Sequence, residues 1–219
     1  MIQYNLLDSE TRVLGCLIEK DMATPEYYPL SLNALLNACN QKSNRNPVVA
    51  YEEQTVLLAI NELKEKQLVH QSDTGRVTKY AHTLDKKHNL IPKELAIIGL
   101  LLLRGQQTPG ELRGRSERLY TFQNLDEMTQ TLNHLVDLQF IQKMAKQPGR
   151  KEARYAHLLS DSPQLTDSIN HTGDTSTRPT VVVKKKDEKM EKLENMVLSL
   201  QEDLETLKND FIQFKKEFE

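Results

Sequence analysis

The sequence predicts a mainly α-helical protein with small β-hairpins (an α+β fold), built from a duplicated domain, a flexible linker and a C-terminal coiled-coil helix. Three observations support this prediction. Blocks of residues recur along the chain, apolar residues repeat at helical spacing within each copy, and an unbroken heptad pattern lies at the end. The predicted boundaries are 1–85 and 88–160 for the two domains, 161–188 for the linker and 189–219 for the coiled coil.

The composition of the 219 residues favours small cores in a soluble chain. Apolar residues make up 38% and aromatic residues 5%, and tryptophan is absent, so Leu, Ile and Val must supply most of the core. The longest apolar run, "LAIIGLLLL" from Leu95 to Leu103, is about half of the ~20 residues that a membrane span needs. The N-terminus lacks the features of a secretory signal. We therefore expect a cytoplasmic protein with no membrane contact.

Two blocks of sequence recur. The line "LLDSETRVLGCLIEKDMATPE" aligns without a gap with "LIPKELAIIGLLLLRGQQTPG" at a spacing of 84 residues, which pairs Gly15 with Gly99 and Thr24 with Thr108. Further on, "AINELKEKQLV" aligns with "TLNHLVDLQFI" at a spacing of 72, so the first copy carries twelve additional residues between the blocks. Two copies indicate a tandem duplication, because a solenoid needs three or more stacked units.

Each copy predicts three helices followed by two strands. In the first copy, apolar residues at spacings of three and four favour helices at about 8–20, 31–39 and 52–66, with Asp8 or Ser9 as the cap of the first. The strand-like runs "LVHQ" and "VTKYAH" are joined through Asp73 to Gly75, which is hairpin chemistry.

The second copy repeats this order, with helices near 92–103, 110–119 and 125–138 and strands in "FIQKMA" and "ARYAHLL". Three helices closed by a β-hairpin are the plan of a winged helix, a variant of the helix-turn-helix. The sequence therefore predicts tandem winged-helix domains.

The last part of the sequence predicts a linker and then a dimerisation helix. The stretch "SDSPQLTDSINHTGDTSTRPT" is polar and lacks periodicity, as flexible linkers do. Beyond it, apolar residues step alternately by three and four over four heptads, which is typical of a coiled coil. Opposite charges at g and the following e positions favour a parallel homodimer. The alternative is one amphipathic helix that folds back on its own domain. The predicted dimerisation residues are Met190, Leu193, Val197, Leu200, Leu204, Leu207, Phe211, Phe214 and Phe218.

Catalytic and metal-binding patterns are absent from the sequence. Cys16 and Cys39 lie far apart within helical patterns, so we expect buried free thiols. The six histidines do not share ligand spacing with a cysteine or carboxylate. His82 and His157 occupy the same repeat position, which favours a shared structural role. The spacing of Gly105 and Gly110 is not followed by the Lys and Ser or Thr of a phosphate loop. We expect no enzyme activity, no cofactor and no metal.

Basic side chains are local rather than global, because 29 basic residues face 31 acidic ones. In a winged helix the third helix normally enters the major groove. Here the third helices begin "YEEQT" and "LDEMT", and their acidic starts suit a helix dipole better than a phosphate. The candidate residues for binding nucleic acid or a partner are therefore Lys42, Asn44, Arg45, Arg76, Lys79, Arg113, Arg115, Arg118, Arg150, Lys151 and Arg154.

The stretch "ACNQKSNRNPVV", residues 38–49, combines turn chemistry with charge. Its first residues end a helix, Asn40 is expected to take the left-handed conformation that stops it, and Asn46-Pro47 favours a turn. Lys42, Asn44 and Arg45 are then left to project from the turn and contact a phosphate backbone or an acidic partner surface. Arg113, Arg115 and Arg150 would supply the equivalent contacts from the second copy.

Three strings carry a resemblance to a known family: "TPEYYPLSLNALLNACNQKSNRNPV", "LLLRGQQTPGELRGRSERLYTF" and "QPGRKEARYAHLL". On these residues the sequence resembles the YceH-like family of bacterial proteins, a family of unknown function with two winged-helix domains. The resemblance covers roughly residues 6–160 and implies the tandem winged-helix fold without a reaction.

The sequence thus predicts a non-enzymatic, nucleic-acid-binding or regulatory protein that forms a homodimer through its tail and has DNA as its partner. The alternative is a protein-interaction scaffold similar to the acidic winged-helix subunits of chromosome-condensing complexes, in which such domains grip a protein partner. A continuous basic face would favour the first and an apolar groove the second.

Overall fold

The computed structural model describes residues 4–73, 75–146 and 152–160. All of them belong to one compact unit, Met1–Asp167. The predicted linker and coiled coil, at 161–219, lie outside the described residues. Among the described residues the structure is mainly helical with two small antiparallel sheets, which confirms the predicted α+β class.

The first copy, which we call repeat one, consists of residues 8–82. Its elements are α1 (Asp8–Ala23), a short 3₁₀ turn (Pro25–Tyr27), β1 (Leu30–Ser31), α2 (Leu32–Cys39), α3 (Glu53–Glu65), β2 (Val69–Ser72) and β3 (Lys79–His82). The strands pair in the order β1-β3-β2. The sequence analysis did not predict β1, because two residues are too short to show a period.

The second copy, repeat two, consists of residues 92–157 and follows the short helix α4 (Leu84–His88). Its elements are α5 (Pro92–Arg104), α6 (Pro109–Ser116), α7 (Leu125–Asp137), β4 (Ile141–Lys143) and β5 (Tyr155–His157). A single bridge between Gln107 and Tyr155 takes the place that the β1–β3 pairing of Leu30 and Tyr80 has in repeat one. The order of elements is therefore the same in both repeats.

Helix caps differ from the prediction at α1. Leu7 rather than Asp8 or Ser9 is the N-cap, and its N–H donates to Glu10 Oε2 at 3.2 Å. The repeat equivalent Glu94 accepts in the same way from the N–H of Ile91 at 3.0 Å. A carboxylate three residues into a helix thus satisfies the otherwise unpaired donor at its start. Both carboxylates are buried, and each also binds a side chain from the third helix of its repeat or from the residue that ends that helix: Glu94 binds His134 of α7, and Glu10 binds Lys66, the C-cap of α3.

The extra residues of repeat one fall in two places. The gapless alignment that paired Thr24 with Thr108 is wrong at this point, because Thr24 ends α1 whereas Thr108 caps α6. Ser31, which caps α2 and accepts from Ala34, is the structural equivalent of Thr108. About seven extra residues therefore precede α2 and about five follow it.

The first helices of the two repeats pack directly against each other, and glycines allow their close approach. A Cβ on Gly15 would lie 2.9 Å from Leu103 Cδ2, and a Cβ on Gly99 would lie 2.8 Å from Ile18 Cγ2. Gly15 and Gly99 occupy the same repeat position, so α1 and α5 meet in a nearly symmetric contact. This contact joins the cores of the repeats into one apolar cluster.

Candidate functional site

A polar cleft of about 1020 Å³ lies between the two repeats. Its walls come from the end of α1, residues 41–44 after α2, the end of α5, and α6 with the turn that follows it. Four of the predicted binding residues line it: Lys42, Asn44, Arg115 and Arg118. The fold thus brings predicted residues from both repeats to one place.

Positive charge prevails in this inter-repeat cleft. Five cations line it against two carboxylates, Glu19 and Glu117. The negative charge of Glu19 is also balanced by Arg45, because Arg45 Nη2 lies 2.6 Å from Glu19 Oε2. The five cations are Lys20, Lys42, Arg104, Arg115 and Arg118.

Arg45 does not project from the turn, contrary to the prediction. Its side chain is fully buried, and it donates to both carboxylate oxygens of Glu19, to Ala38 O, to Asn44 O and to Gln41 Oε1. A guanidinium with these acceptors has no donor left for a ligand. Arg45 therefore supports the cleft wall from inside instead of contacting a ligand.

The predicted turn also joins the repeats. The backbone N–H of Asn46 donates to Leu103 O at 2.9 Å, and the side-chain amide of Asn46 donates to Arg104 O at 3.4 Å. Arg104 Nη2 in turn donates to Asn44 Oδ1. The last carbonyls of a helix have no partner within the helix. The connecting segment of repeat one, residues 40–52, thus caps α5 of repeat two.

Asn40 was expected in the left-handed conformation, and this prediction is wrong. Asn40 has a φ of −90°, whereas Asn44 has a φ of 61°. The amide of Asn40 instead pairs with the backbone of Tyr51: it donates to Tyr51 O at 2.9 Å and accepts from Tyr51 N at 2.8 Å. These bonds close the connecting segment across its base.

Arg104 was not among the predicted binding residues. Burial lowers the pKa of Arg104, and the positive charges of Arg115 and Arg45 lower it further against the opposing effect of Glu19. The cleft has five cations and two carboxylates in its lining, so a bound anion would relieve the repulsion among the cations. The duplication offered a signal for this residue: Lys20 and Arg104 occupy the same repeat position, 84 residues apart, and both are basic. In the structure both line the cleft.

Lys42 and Arg118 are the most available cations of the cleft. Both side chains are exposed, and neither forms a hydrogen bond or ion pair with any other residue that the structure describes. Arg115 is partly engaged, since its Nη1 donates to Gln107 Oε1 at 2.8 Å. Lys42 and Arg118 can thus meet a ligand without breaking an internal bond.

Four other predicted residues that the structure describes lie outside the cleft. Arg113 faces a second hollow on the other side of α6. Arg154 donates to Gln106 O and to both carboxylate oxygens of Glu111. These hydrogen bonds engage its guanidinium within repeat two. Arg76 and Lys79 are exposed at the hairpin of repeat one. Arg150 and Lys151 lie outside the described residues.

The exposed faces of the third helices carry little positive charge. On α3, Glu53, Glu62 and Glu65 are exposed together with Leu58, whose exposed fraction is 66%. On α7, Asp126 and Asp137 are exposed. Neither helix offers the basic surface that binding in a DNA groove requires.

The two equivalent histidines have different surroundings. His82 Nε2 lies 3.1 Å from Asp21 Oδ2, and its Nδ1 lies 3.5 Å from Asp85 Oδ1. His157 is buried as His82 is, and the Nδ1 atoms of both lack a hydrogen bond in the described structure, but His157 has no carboxylate beside it there, and burial lowers its pKa to about 4. His157 therefore remains a neutral core residue near pH 7.

Cysteine, metal and membrane features can be stated for the described residues. Cys16 and Cys39 are buried free thiols, as predicted. Within 4–73, 75–146 and 152–160, no group of His, Cys, Asp and Glu could hold a metal ion. The helices of that part of the chain include none with the length and apolar character to cross a membrane.

Comparisons with known proteins place the chain in a family. The family described as "Protein of unknown function, DUF480" matches residues 6–150. The UPF0502 proteins of Pelobacter propionicus, Geotalea uraniireducens and Solibacter usitatus are 48%, 45% and 40% identical to this chain, and the alignments cover 98%, 100% and 100% of it and the same shares of the relatives. The chain therefore belongs to the DUF480 family of bacterial proteins, whose members are called UPF0502 proteins.

Proposed function

We propose that this protein is a non-enzymatic, regulatory nucleic-acid-binding protein built from two winged-helix domains, and that the inter-repeat cleft receives the phosphate backbone. The order of helix, short strand, two helices and hairpin in repeat one, with a single bridge in place of the short strand in repeat two, supports the assignment of each repeat as a winged helix. The strand order β1-β3-β2 in repeat one supports it as well.

One observation carries the proposal: five cations line a cleft whose two carboxylates include one already paired with Arg45. Lysine and arginine side chains that neutralise phosphates supply most of the sequence-independent affinity for nucleic acid. The acidic third helices argue that any such contact uses the cleft and not the usual recognition helix.

Fluorescence anisotropy across a salt series tests this proposal on the full chain. We expect mixed-sequence oligonucleotides, duplex or single-stranded, to bind and to lose affinity steeply as salt increases. Lys42→Ala and Arg118→Ala should each reduce the log-log salt slope by about 0.9 on a duplex or about 0.7 on a single strand. Lys86→Ala is the matched control, because Lys86 is also exposed but lies outside the cleft. Absence of binding at low salt, or equal binding by all variants, would refute the proposal.

A protein partner is the second candidate, and the surface of α3 favours it. Leu58 is 66% exposed among acidic residues, and Tyr27 in the same repeat is 72% exposed. Exposed apolar side chains with a polar surround are common at protein interfaces. Such a partner would be basic. This candidate takes first place if nucleic acid does not bind and Leu58→Ser abolishes binding to a basic protein partner isolated with the wild-type chain.

The tail is proposed to make the protein a homodimer. The heptad residues from Met190 to Phe218 lie outside the described residues, so the sequence pattern alone supports this part. Light scattering on the full chain should give twice the monomer mass, whereas a chain that ends near Pro179 should be a monomer. Leu200→Asp should also separate the dimer, since it introduces charge into the seam. If the full chain and the shortened chain each have the mass of their own monomer, dimerisation is refuted.

A further inference from the structure

Helix α6 separates the inter-repeat cleft from a second hollow. This hollow, of about 660 Å³, is lined by Arg113, Phe122 and Leu125 among others. Gly114 and Glu117 line both cavities. The two cavities are therefore neighbours with only the exposed face of α6 between them.

Gly114 keeps this face low. It lies inside the helix and is exposed, and a Cβ at this position would have no atom within 4 Å. Packing therefore does not require glycine here, unlike at Gly15 and Gly99. Glycine within a helix is less favourable than alanine, so an exposed glycine without a packing reason has a cost for the fold. The helix surface at Gly114 therefore carries no side chain, with Arg113 on one side and Arg115 on the other. We call this low point the saddle.

We propose that the nucleic acid bound by this protein is single-stranded, and that its backbone crosses α6 at Gly114 from the inter-repeat cleft into the second hollow. This inference rests on the function proposed above. Lys42, Arg104 and Arg115 hold phosphates in the cleft, and Arg113 holds the next phosphate beyond the saddle. Because glycine has no side chain, the backbone can pass close to the helix.

The shape of the basic surface favours a single strand over a duplex. A duplex presents its phosphates on a convex cylinder, and proteins read it with projecting elements that enter a groove. Here the cations line concave cavities, while the exposed third helices are acidic. A single strand can descend into such cavities and place a base against apolar side chains. Leu125, which is 42% exposed, supplies an apolar contact in the second hollow, whose lining also includes the buried Phe122.

Glu117 limits the affinity of this path. It is exposed on the saddle, lines both cavities and has no ion-pair partner among the described residues. Its carboxylate therefore repels a backbone that crosses there. Neutralising this charge should strengthen binding, a result that a purely structural role for Glu117 would not give.

The test measures anisotropy of single-stranded DNA, single-stranded RNA and duplex DNA with the full chain at low salt, and a salt series is added for wild type and Arg113→Ala. We expect wild type to bind a single strand at least tenfold more tightly than the duplex. Gly114→Leu, which fills the saddle, should weaken single-strand binding about tenfold, whereas Gly114→Ala should change it less than twofold. Glu117→Gln should strengthen it several-fold, and Arg113→Ala should reduce the salt slope by about 0.7. Thermal unfolding of each variant verifies that it is folded.

The outcomes separate this inference from the function on which it rests. If duplex binds as tightly as single strand, or if folded Gly114→Leu binds like wild type while Lys42→Ala weakens binding, the crossing is wrong and nucleic-acid binding stands. If none of the oligonucleotides binds, both are wrong. If DNA and RNA single strands bind equally, the 2′-hydroxyl is not read. A preference for one of them identifies the natural ligand and leaves the crossing intact.

Discussion

The two repeats have the same order of elements but differ in what connects their second and third helices. Repeat one uses residues 40–52, and repeat two uses the shorter 117–124. The longer segment buries Arg45 and binds Arg12, which donates to Cys39 O and to Pro47 O. Repeat two has Ala96 at the position of Arg12. Extra length in one copy was therefore accommodated by placing charged side chains inside the protein.

The ion pairs of the repeats show the same difference. In repeat one, Arg45 is fully buried against Glu19. In repeat two, Arg154 pairs with Glu111 at a site where 16% and 32% of their side chains are exposed. Removing one partner of a buried pair leaves an uncompensated charge, whereas an exposed pair contributes little. The comparison teaches that the stability of repeat one depends more on this ion pair than the stability of repeat two depends on its own.

The largest expected effect is the loss of the buried arginine. Arg45→Met should lower the free energy of unfolding by about 3–5 kcal/mol, because Glu19 and Ala38 O lose their donor. Urea denaturation measures it. Arg154→Met in repeat two is the control and should cost about 1 kcal/mol or less.

A double variant sharpens this result. Glu19→Gln combined with Arg45→Met should recover part of the lost stability, since a neutral amide then replaces the largely buried carboxylate that has lost its partner. Similar losses from Arg45→Met and Arg154→Met would contradict the assignment of Arg45 as a buried support.

The second prediction concerns acid stability through His157. Its pKa is lowered to about 4 from 6.5, so the unfolded chain takes up a proton at a higher pH than the folded chain does. The contribution of His157 to the free energy of unfolding is therefore fully present above about pH 6.5. This contribution, about 3 kcal/mol, is lost as the pH falls to about 4. Urea denaturation of wild type and His157→Leu at pH 7 and pH 4.5 measures this. Equal losses on acidification in both proteins would refute it.

The third prediction tests the symmetric contact of α1 and α5. Gly15→Ala and Gly99→Ala should each destabilise by about 1–3 kcal/mol, because each new methyl group would lie less than 3 Å from an atom of the facing helix. Gly114→Ala is the control: it has open space and should stabilise by about 0.5–1 kcal/mol. Thermal unfolding compares the three. Stabilisation by Gly15→Ala would show that the helices do not approach so closely.

The smallest expected effect is at the thiols of repeat one. Cys16→Ala and Cys39→Ala should each cost about 1–2 kcal/mol, as the loss of a small buried apolar group does. Elemental analysis of wild type and both variants accompanies the unfolding measurement. A metal that either substitution removes would contradict their role as buried thiols.

Local patterns predicted the elements well. For α3 the predicted range 52–66 exceeds the observed Glu53–Glu65 by one residue at each end, since its apolar positions repeat without interruption. The short α4 was missed, because five residues are too few for a helical period. The candidate site was predicted in part. Lys42 and Arg118 line the cleft as predicted residues, whereas Lys20 and Arg104 were not among the predicted binding residues.

The sequence by itself determined the helices and the hairpin strands, because these depend on residues within a few positions of each other. It also determined the duplication, because the blocks of the two copies can be aligned directly. Only the tertiary structure decided which charges are buried and which are free. Arg45 and Lys42 are close neighbours in one polar stretch, yet Arg45 is buried against Glu19, 26 residues away, while Lys42 lines the cleft. The physical reason is that desolvation and pairing depend on contacts between distant segments, and such contacts have no period in the sequence.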